Sequence, residues 1–386
     1  MLNFPTGIVR AVRGVKTYIP PTINFPYTWG DPTINHLLAE ASRMIGELNA
    51  YTILVPDVDY FIKMHVAKEA NASSCTERIH LTMADTVSPV SEVDPESRDD
   101  WQEVHNYIQA INYAVAELEK LPFSMRLVHQ THAKLLDSVR GYTKTPGQIR
   151  TSQNWIGPSL AEAVFIPPPP EELPALLDDL QRYWHNRDIA TPDLIRIAIS
   201  HYQFETVHPY LDGNGRLGRL IIPLHLVSLS MLHKPSLYLS DYFERNKVEY
   251  VDLMMKVHRD GSNMDEWIIF FLTGVTEIAK QSRDTLKTIV ELRQKYDALI
   301  DSRVGARRRP YAKKALLHLF SNPIVAAKDL MQVPEHEPVT VQTAHNLIDD
   351  LHKSGMLEEI SGLKSNRRYV LKEYFDLFDR PSHNPN

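Results

Sequence analysis

One segment constrains this chain more than any other: His208-Pro209-Tyr210-Leu211-Asp212-Gly213-Asn214-Gly215-Arg216-Leu217-Gly218-Arg219. It places an imidazole, a carboxylate, a small-residue turn and two guanidiniums in one loop that runs straight into an apolar stretch. Gly213 and Gly215 suit positive-φ backbone, which lets consecutive N–H groups converge on an anion. The stretch 216–232 reads as a helix whose positive N-terminal end points at the same place. Arg216 and Arg219 add fork-shaped donors for phosphate oxygens, and Asp212 offers a hard oxygen ligand for Mg²⁺. His208 titrates near neutrality and is the candidate general base. An anion nest with a metal ligand and a base just upstream is a plan for phosphoryl or nucleotidyl transfer.

The rest of the chain reads as mainly helical. Apolar residues recur at helical spacing over 33–50, 58–73, 99–119 and 124–136. Helices resume at 171–185 and at 193–206, the latter opened by Thr191-Pro192-Asp193 and delivering His208 at its end. Further helices are expected at 216–232, 243–258, 264–280 and 283–302. Residues 1–30 carry prolines and aromatics without periodicity and read as an extended lead-in. Between 140 and 170, Gly141, Pro146, Gly147, Gly157 and Pro158 punctuate short extended pieces, which predicts a β-hairpin over 148–166 followed by a polyproline spacer at 167–170. After Gly305-Ala306-Arg307-Arg308-Arg309-Pro310 come helices at 311–320 and 324–331 and a third capped by Thr340 and ending at Gly355. Short strands at 357–360 and 369–371 flank a turn with Gly362, Lys364, Arg367 and Arg368. Three helices and a basic two-stranded wing resemble a winged helix-turn-helix.

Composition narrows the function classes. A net charge of −6 over 386 residues argues against nucleic-acid binding through bulk charge. The single cysteine, Cys75, excludes an internal disulfide framework and suits a reducing compartment. The N-terminus mixes Arg10, Arg13 and Lys16 with prolines and has no unbroken apolar run, and 220–232 is too short to span a bilayer. A cytoplasmic protein with no membrane contact is the expectation. His201 and Glu205 precede His208, but the spacing is not His-Glu-x-x-His and no third ligand is evident, so His201 reads as a packed helix residue rather than a zinc ligand.

The segment 208–219 resembles the signature of the Fic family, His-Pro-Phe-x-(Asp/Glu)-Gly-Asn-Gly-Arg-x-x-Arg, with Tyr210 in place of the usual Phe. The resemblance covers residues 25–280 and, more loosely, the C-terminal part. It implies a mainly α fold: a Fic helical-bundle core (99–282) with a β-hairpin flap, an N-terminal helical extension (1–98), a linking helix (283–305) and a C-terminal winged helix-turn-helix domain (306–386). It implies an activity as well, transfer of AMP from ATP to Ser, Thr or Tyr hydroxyls of proteins, itself included, with His208 as base and Asp212 holding Mg²⁺. Gly213, Asn214 and Gly215 would form the anion hole, Arg216, Leu217, Gly218 and Arg219 would line the outer phosphates, and Tyr250 would meet the adenosine. The 148–166 flap would pair its backbone edge with the target segment.

Ser73-Ser74-Cys75-Thr76-Glu77-Arg78 resembles the family's inhibitory motif, (Ser/Thr)-x-x-x-Glu-(Gly/Asn), with Arg78 departing from it. Glu77 would then occupy the guanidinium of Arg219 meant for the γ-phosphate. Variants of the same reading are de-AMPylation and transfer from another nucleotide. The rival from a different class is a nucleotide-sensing DNA-binding regulator acting through 306–386. Arg307, Arg308, Arg309, Lys313, Lys314, Arg367 and Arg368 favour it, whereas the expected recognition helix carries Asp349 and Asp350 and no Lys or Arg before Lys353. A homodimer is left open by the sequence.

Overall fold

The computed structural model describes residues 4–12, 14–54, 58–77, 79, 81–137, 143–363 and 366–379. Arg13, Arg78, Gly141 and Lys364 lie outside them. The N-terminal lead-in is not featureless: β1 (Ile8–Val12) and β2 (Val15–Ile19) form an antiparallel hairpin with Val12 opposite Val15 and Ile8 opposite Ile19. Gly14, at φ +82°, supplies the turn. The alternation that marks an amphipathic strand is missing because β1 has solvent on nearly every residue, so the hairpin left little trace in the sequence.

Helices then dominate. α1 (Thr33–Leu54), α2 (Val58–Thr76) and the short α3 (Met83–Val87) lead to α4 (Arg98–Leu118), whose Val104, Tyr107, Ala110, Ile111 and Ala114 are fully covered. α5 (Met125–Leu135) starts where the Ser124 hydroxyl accepts from the Leu127 N–H. α6 (Leu173–His185) and α7 (Asp193–Val207) follow, then α8 (Asn214–Ser228), α9 (Ser240–Arg245) and α10 (Lys247–Arg259). α7 and α8 are buried on nearly all sides, and the helices around them carry amphipathic faces. The stretch expected as one helix over 243–258 is two, broken at Asn246.

The helices expected at 264–280 and 283–302 are one. α11 (Met264–Arg303) runs for 40 residues without a break, about 60 Å at 1.5 Å per residue. Gln281-Ser282 is weak as a stop signal because neither residue breaks a helix, and buried residues on both sides of it keep the packing face continuous.

The C-terminal part holds α12 (Arg309–Ser321), β3 (Ile324–Ala326), a 3-10 turn over Ala327–Leu330, α13 (Val341–Lys353), β4 (Glu358–Glu359), β5 (Arg368–Val370) and α14 (Lys372–Asp379). The strands form an antiparallel sheet in the order β3-β5-β4. Thr340 caps α13 by accepting from Thr343 N–H at 3.2 Å, as expected. The helix expected at 324–331 is instead strand and 3-10 turn: Ile324 and Val325 are β-branched and pair with Val370 and Tyr369.

The 148–166 segment is also less regular than expected. It closes on a single bridge, Ile156 with Phe165, rather than on two strands. Gly157 at φ +140° and Pro158 interrupt the first arm just where a ladder would extend. Its second arm gains one further partner, because Tyr18 N–H of β2 donates to Ile166 O at 3.0 Å. Trp155, Ile156 and Val164 remain 42%, 40% and 60% exposed, which leaves the segment an apolar outer face.

Candidate functional site

α7 ends at His208, which takes a left-handed backbone (φ 48°, ψ 61°) that costs a non-glycine residue about 1–2 kcal/mol. The turn aims the ring back under the helix end. Nδ1–H donates to Glu205 O at 3.3 Å, so Nε2 carries the lone pair. Burial, with Arg150 nearby, pulls the His208 pKa down to about 4, so the ring is neutral at pH 7.

The loop after His208 is locked from inside. Asn214 takes the Tyr210 N–H on Oδ1 at 2.9 Å and returns a bond from Nδ2 to Tyr210 O at 2.8 Å. Its side chain is therefore spent on the loop, and only its backbone N–H is left for an anion. Gly213 is left-handed (φ +73°) and opens α8. Gly215 is not left-handed; it is helical, and its need for hydrogen is steric, since a Cβ there would lie 2.8 Å from Glu77 Oε1 and 3.0 Å from Arg219 Nη1. The N–H groups of Asn214, Gly215 and Arg216 stand in the first turn of α8, where no intrahelical acceptor exists. Leu217 is spent elsewhere: its N–H donates to Gly213 O at 3.0 Å and its side chain is in the core.

Tyr210 explains its own hydroxyl. The ring is fully buried, stacks on His132 at 3.8 Å, and the phenol is hydrogen-bonded to His129 Nδ1 at 2.7 Å. His132 accepts from Gly147 N–H on Nδ1 at 2.8 Å, so its Nε2–H donates to Asp212 O at 2.9 Å. That bond fixes the backbone of Asp212, whose side chain is 42% exposed and whose Oδ1 accepts from Gly213 N–H at 2.6 Å.

The two arginines divide. Arg216 Nη1 meets Glu103 Oε2 at 2.9 Å with both side chains 4% exposed, so it is committed to a buried ion pair with α4. Its other contact is 3.8 Å to Asp212. Arg219 instead faces the end of α2: Nη2 donates to Glu77 Oε1 at 3.1 Å and to Ser73 O at 3.0 Å, and Nε donates to Ser73 Oγ at 3.0 Å. Burial alone would raise the Glu77 carboxyl, but the charge and hydrogen bond of Arg219, with Arg216 and His208 behind them, hold it below the usual range.

Glu205 lies on the other side. Burial raises it to about 7 against the opposing pull of Arg219, and its Oε1 has no hydrogen-bond partner. Tyr250 does not stand in an open pocket. Its hydroxyl donates to His201 Nε2 at 3.0 Å, and its ring lies among Phe243, Trp267 and His201. His201 in turn donates from Nδ1 to Gly218 O at 3.1 Å, which makes it the packed helix residue expected.

Among the described residues no group of three His, Cys, Asp or Glu could hold a metal. A lone, accessible Asp212 beside an anion nest fits Mg²⁺ nonetheless, because that ion takes one or two carboxylates and fills its shell with water and phosphate oxygens.

Residues 35–116 match the model of the Fic/DOC family N-terminal region, and residues 122–226 match that of the Fic/DOC family. The chain thus carries a Fic/DOC N-terminal region followed by a Fic/DOC domain. The protein adenylyltransferase Fic of Drosophila erecta is 28% identical over 150 residues, 37% of this chain and 28% of that relative. Its counterpart in Drosophila grimshawi is 29% identical over 151 residues, again 37% of this chain and 29% of the relative. The chain thus spans less than a third of the length of the curated relatives it matches. A Fic family protein from Desulfovibrio desulfuricans shares the fold with a TM-score of 0.56 at 20% identity, over 90% of this chain and 98% of the other. A Fic domain containing signaling protein from Bacteroides thetaiotaomicron aligns at 0.52 and 18% identity, over 64% and 95%.

The Fic loop gathers more residues than the sequence motif named. Ser73, Glu103, His129, His132, Arg150 and Glu205 all touch it or the residues it orders. Ser73 carried a signal for its contact, as the first position of the Ser-x-x-x-Glu pattern. Glu205 stood three residues before His208 without a role, and Glu103, His129, His132 and Arg150 are distant in sequence, joined to the loop by hydrogen bonds and an ion pair made only on folding.

Proposed function

We propose that this Fic protein transfers AMP from ATP to a hydroxyl side chain of a protein, and that Glu77 restrains it. The observation that carries the reading is Arg219 held by Glu77 and Ser73 at the mouth of the α8 N-terminus, beside a neutral His208 whose Nε2 is free to accept. His208 takes the proton of the incoming Ser, Thr or Tyr hydroxyl, the oxygen attacks the α-phosphorus, and pyrophosphate leaves. The first-turn N–H groups of α8 stabilise the charge that develops, without reorganising. Asp212 would hold Mg²⁺, which supplies charge neutralisation at the phosphates. Arg219, once released, is the clamp for the outer phosphate. Arg216 supports this from its ion pair rather than reaching outward. We read residues 1–98, 99–282, 283–305 and 306–386 as restraint, catalytic, linking and C-terminal parts, with the 148–166 flap receiving the target.

The rival reading, a DNA-binding regulator, draws on the C-terminal basic residues. Most of them are already paired: Arg308 with Asp350 at 2.5 Å, Lys313 with Asp301 at 3.0 Å, Arg367 with Glu359 at 3.5 Å, and Lys314 and Arg368 with Glu335 and Glu92. Such pairs leave little net positive charge for phosphate. No helix among the described residues is long and apolar enough to cross a membrane.

The deciding experiment incubates wild type and Glu77→Gly with labelled ATP and follows intact mass. Addition of AMP, greater in the variant, supports the reading. Added phosphate, another nucleotide, or no label in either protein overturns it.

A further inference from the structure

We propose that Arg150 is a positioning residue that holds the base His208 and the target-docking flap in one frame; this rests on the transferase reading above. The sequence motif does not include it and lies 58 residues away. Its side chain is 1% exposed, yet among the described residues no carboxylate pairs with it. Four backbone carbonyls take that place.

The four acceptors come from both halves of the site. Nε–H donates to His208 O at 2.9 Å and Nη2 reaches Val207 O at 3.5 Å. Nη1 donates to Ser152 O at 3.2 Å, where the flap departs, and Nη2 donates to Pro168 O at 2.6 Å, where it returns. The Arg150 backbone adds a fifth tie, N–H to Pro209 O at 3.0 Å.

The chemistry explains why arginine stands there. Val207 and His208 end α7, so their carbonyls have no intrahelical donors, and the helix end is negative. A planar fork with five N–H donors satisfies these carbonyls and the two flap carbonyls at once, which a single ammonium point charge does not. Without it, nothing else on the flap ties to the backbone of His208 itself, and the left-handed turn that aims the imidazole loses its brace. A docked hydroxyl and the base would then drift relative to each other. Such a residue acts on the attack distance and leaves the nucleotide nest alone, since no Arg150 bond reaches residues 212–219.

The test compares Glu77→Gly with Glu77→Gly/Arg150→Lys and Glu77→Gly/Arg150→Met. Transfer to a peptide target should fall about 100-fold in kcat for the lysine variant, the scale of a 1 Å misplacement. ATP affinity, measured by calorimetry, should hold. The His208 imidazole, followed by NMR, should titrate above its value of about 4, and the acid limb of the pH–rate profile should move up with it. Exogenous guanidinium should restore part of the rate to the methionine variant. A lysine variant with the parent's kcat and the parent's His208 titration overturns the proposal. Should the methionine variant unfold, the lysine variant, which keeps stem and charge, carries the test; if that too loses its helical circular dichroism, the role is structural and the proposal falls. An inactive Glu77→Gly parent defeats the transferase reading instead, while the His208 titration still judges the positioning of the ring.

Discussion

Arg216 of α8 and Glu103 of α4 form an ion pair at 2.9 Å, with each side chain 4% exposed. The pair pins the first turn of the anion nest to the helix below it. It also answers why the two arginines of one motif behave differently: one is committed to α4 and the other faces Glu77 and Ser73 at the end of α2.

Glu103→Ala should therefore be costly. Removing one partner of a buried pair leaves an uncompensated charge, a loss of about 3–5 kcal/mol. Urea unfolding of the variant should show a midpoint well below wild type. Glu103→Gln, which keeps an acceptor, should lose less. Equal midpoints for Glu103→Ala and wild type would mean that water already reaches Arg216.

His208→Ala should abolish transfer in the Glu77→Gly background while ATP still binds, because on the proposed reading affinity resides in the nest and Arg219. A general base contributes about 10²–10⁴-fold, so a rate within a few-fold of the parent sinks the assignment. The base works when neutral, and its pKa is about 4. The acid limb of kcat/KM should accordingly lie near pH 4 rather than near the ordinary histidine value, with little gain from pH 6 to 7.

Glu77→Gly should raise transfer, and Arg219→Ala should not be activated by the same change. A released guanidinium matters only if the guanidinium is there, so the double-mutant cycle must be non-additive. Additive effects would point to a general loosening of α2.

Acid should unfold this protein early. Burial holds His65, His201, His225 and His258 at about 3 and His132 and His208 at about 4. In the unfolded chain each takes a proton near 6.5, so the stability they leave intact above that pH is lost as pH falls toward 4, by 1.36 kcal/mol per pH unit for each proton taken up. Glu69 and Glu205, raised by burial to about 7, work in the opposite sense, lending stability at low pH that fades as pH rises through 7. The histidines outnumber them. Denaturant midpoints should drop steeply between pH 6.5 and 4.5, and a flat profile there would show that the histidines are solvated.

What the sequence disclosed and what it hid follow the range of the interactions. The loop 208–219 was legible because its chemistry is local: the glycine turn, the helix start and the arginines all lie within three turns of chain. The α4 and α5 helices were legible from their apolar stripes. Hidden were the couplings made by folding, Arg216 to Glu103, His132 to Asp212 and Arg150 to His208, since no periodicity reports a partner far along the chain. The length of α11 was hidden for a different reason, because a helix continues by default where nothing stops it. The β1–β2 hairpin escaped because its exposed strand lacks the alternation that a buried face imposes.

The end of α2 that bears Glu77 touches the active loop, while its other end is touched by aromatic rings from the far side of the chain. Phe61 meets Phe320 of α12 at 4.9 Å, and His65 meets Phe378 of α14 at 5.1 Å. The C-terminal part is thus no detachable cassette: trimming it would strip two rings from the helix that leads to Glu77. Modularity ends at that seam, and swapping the C-terminal part for another would re-tune the stability of α2 along with whatever else it changed.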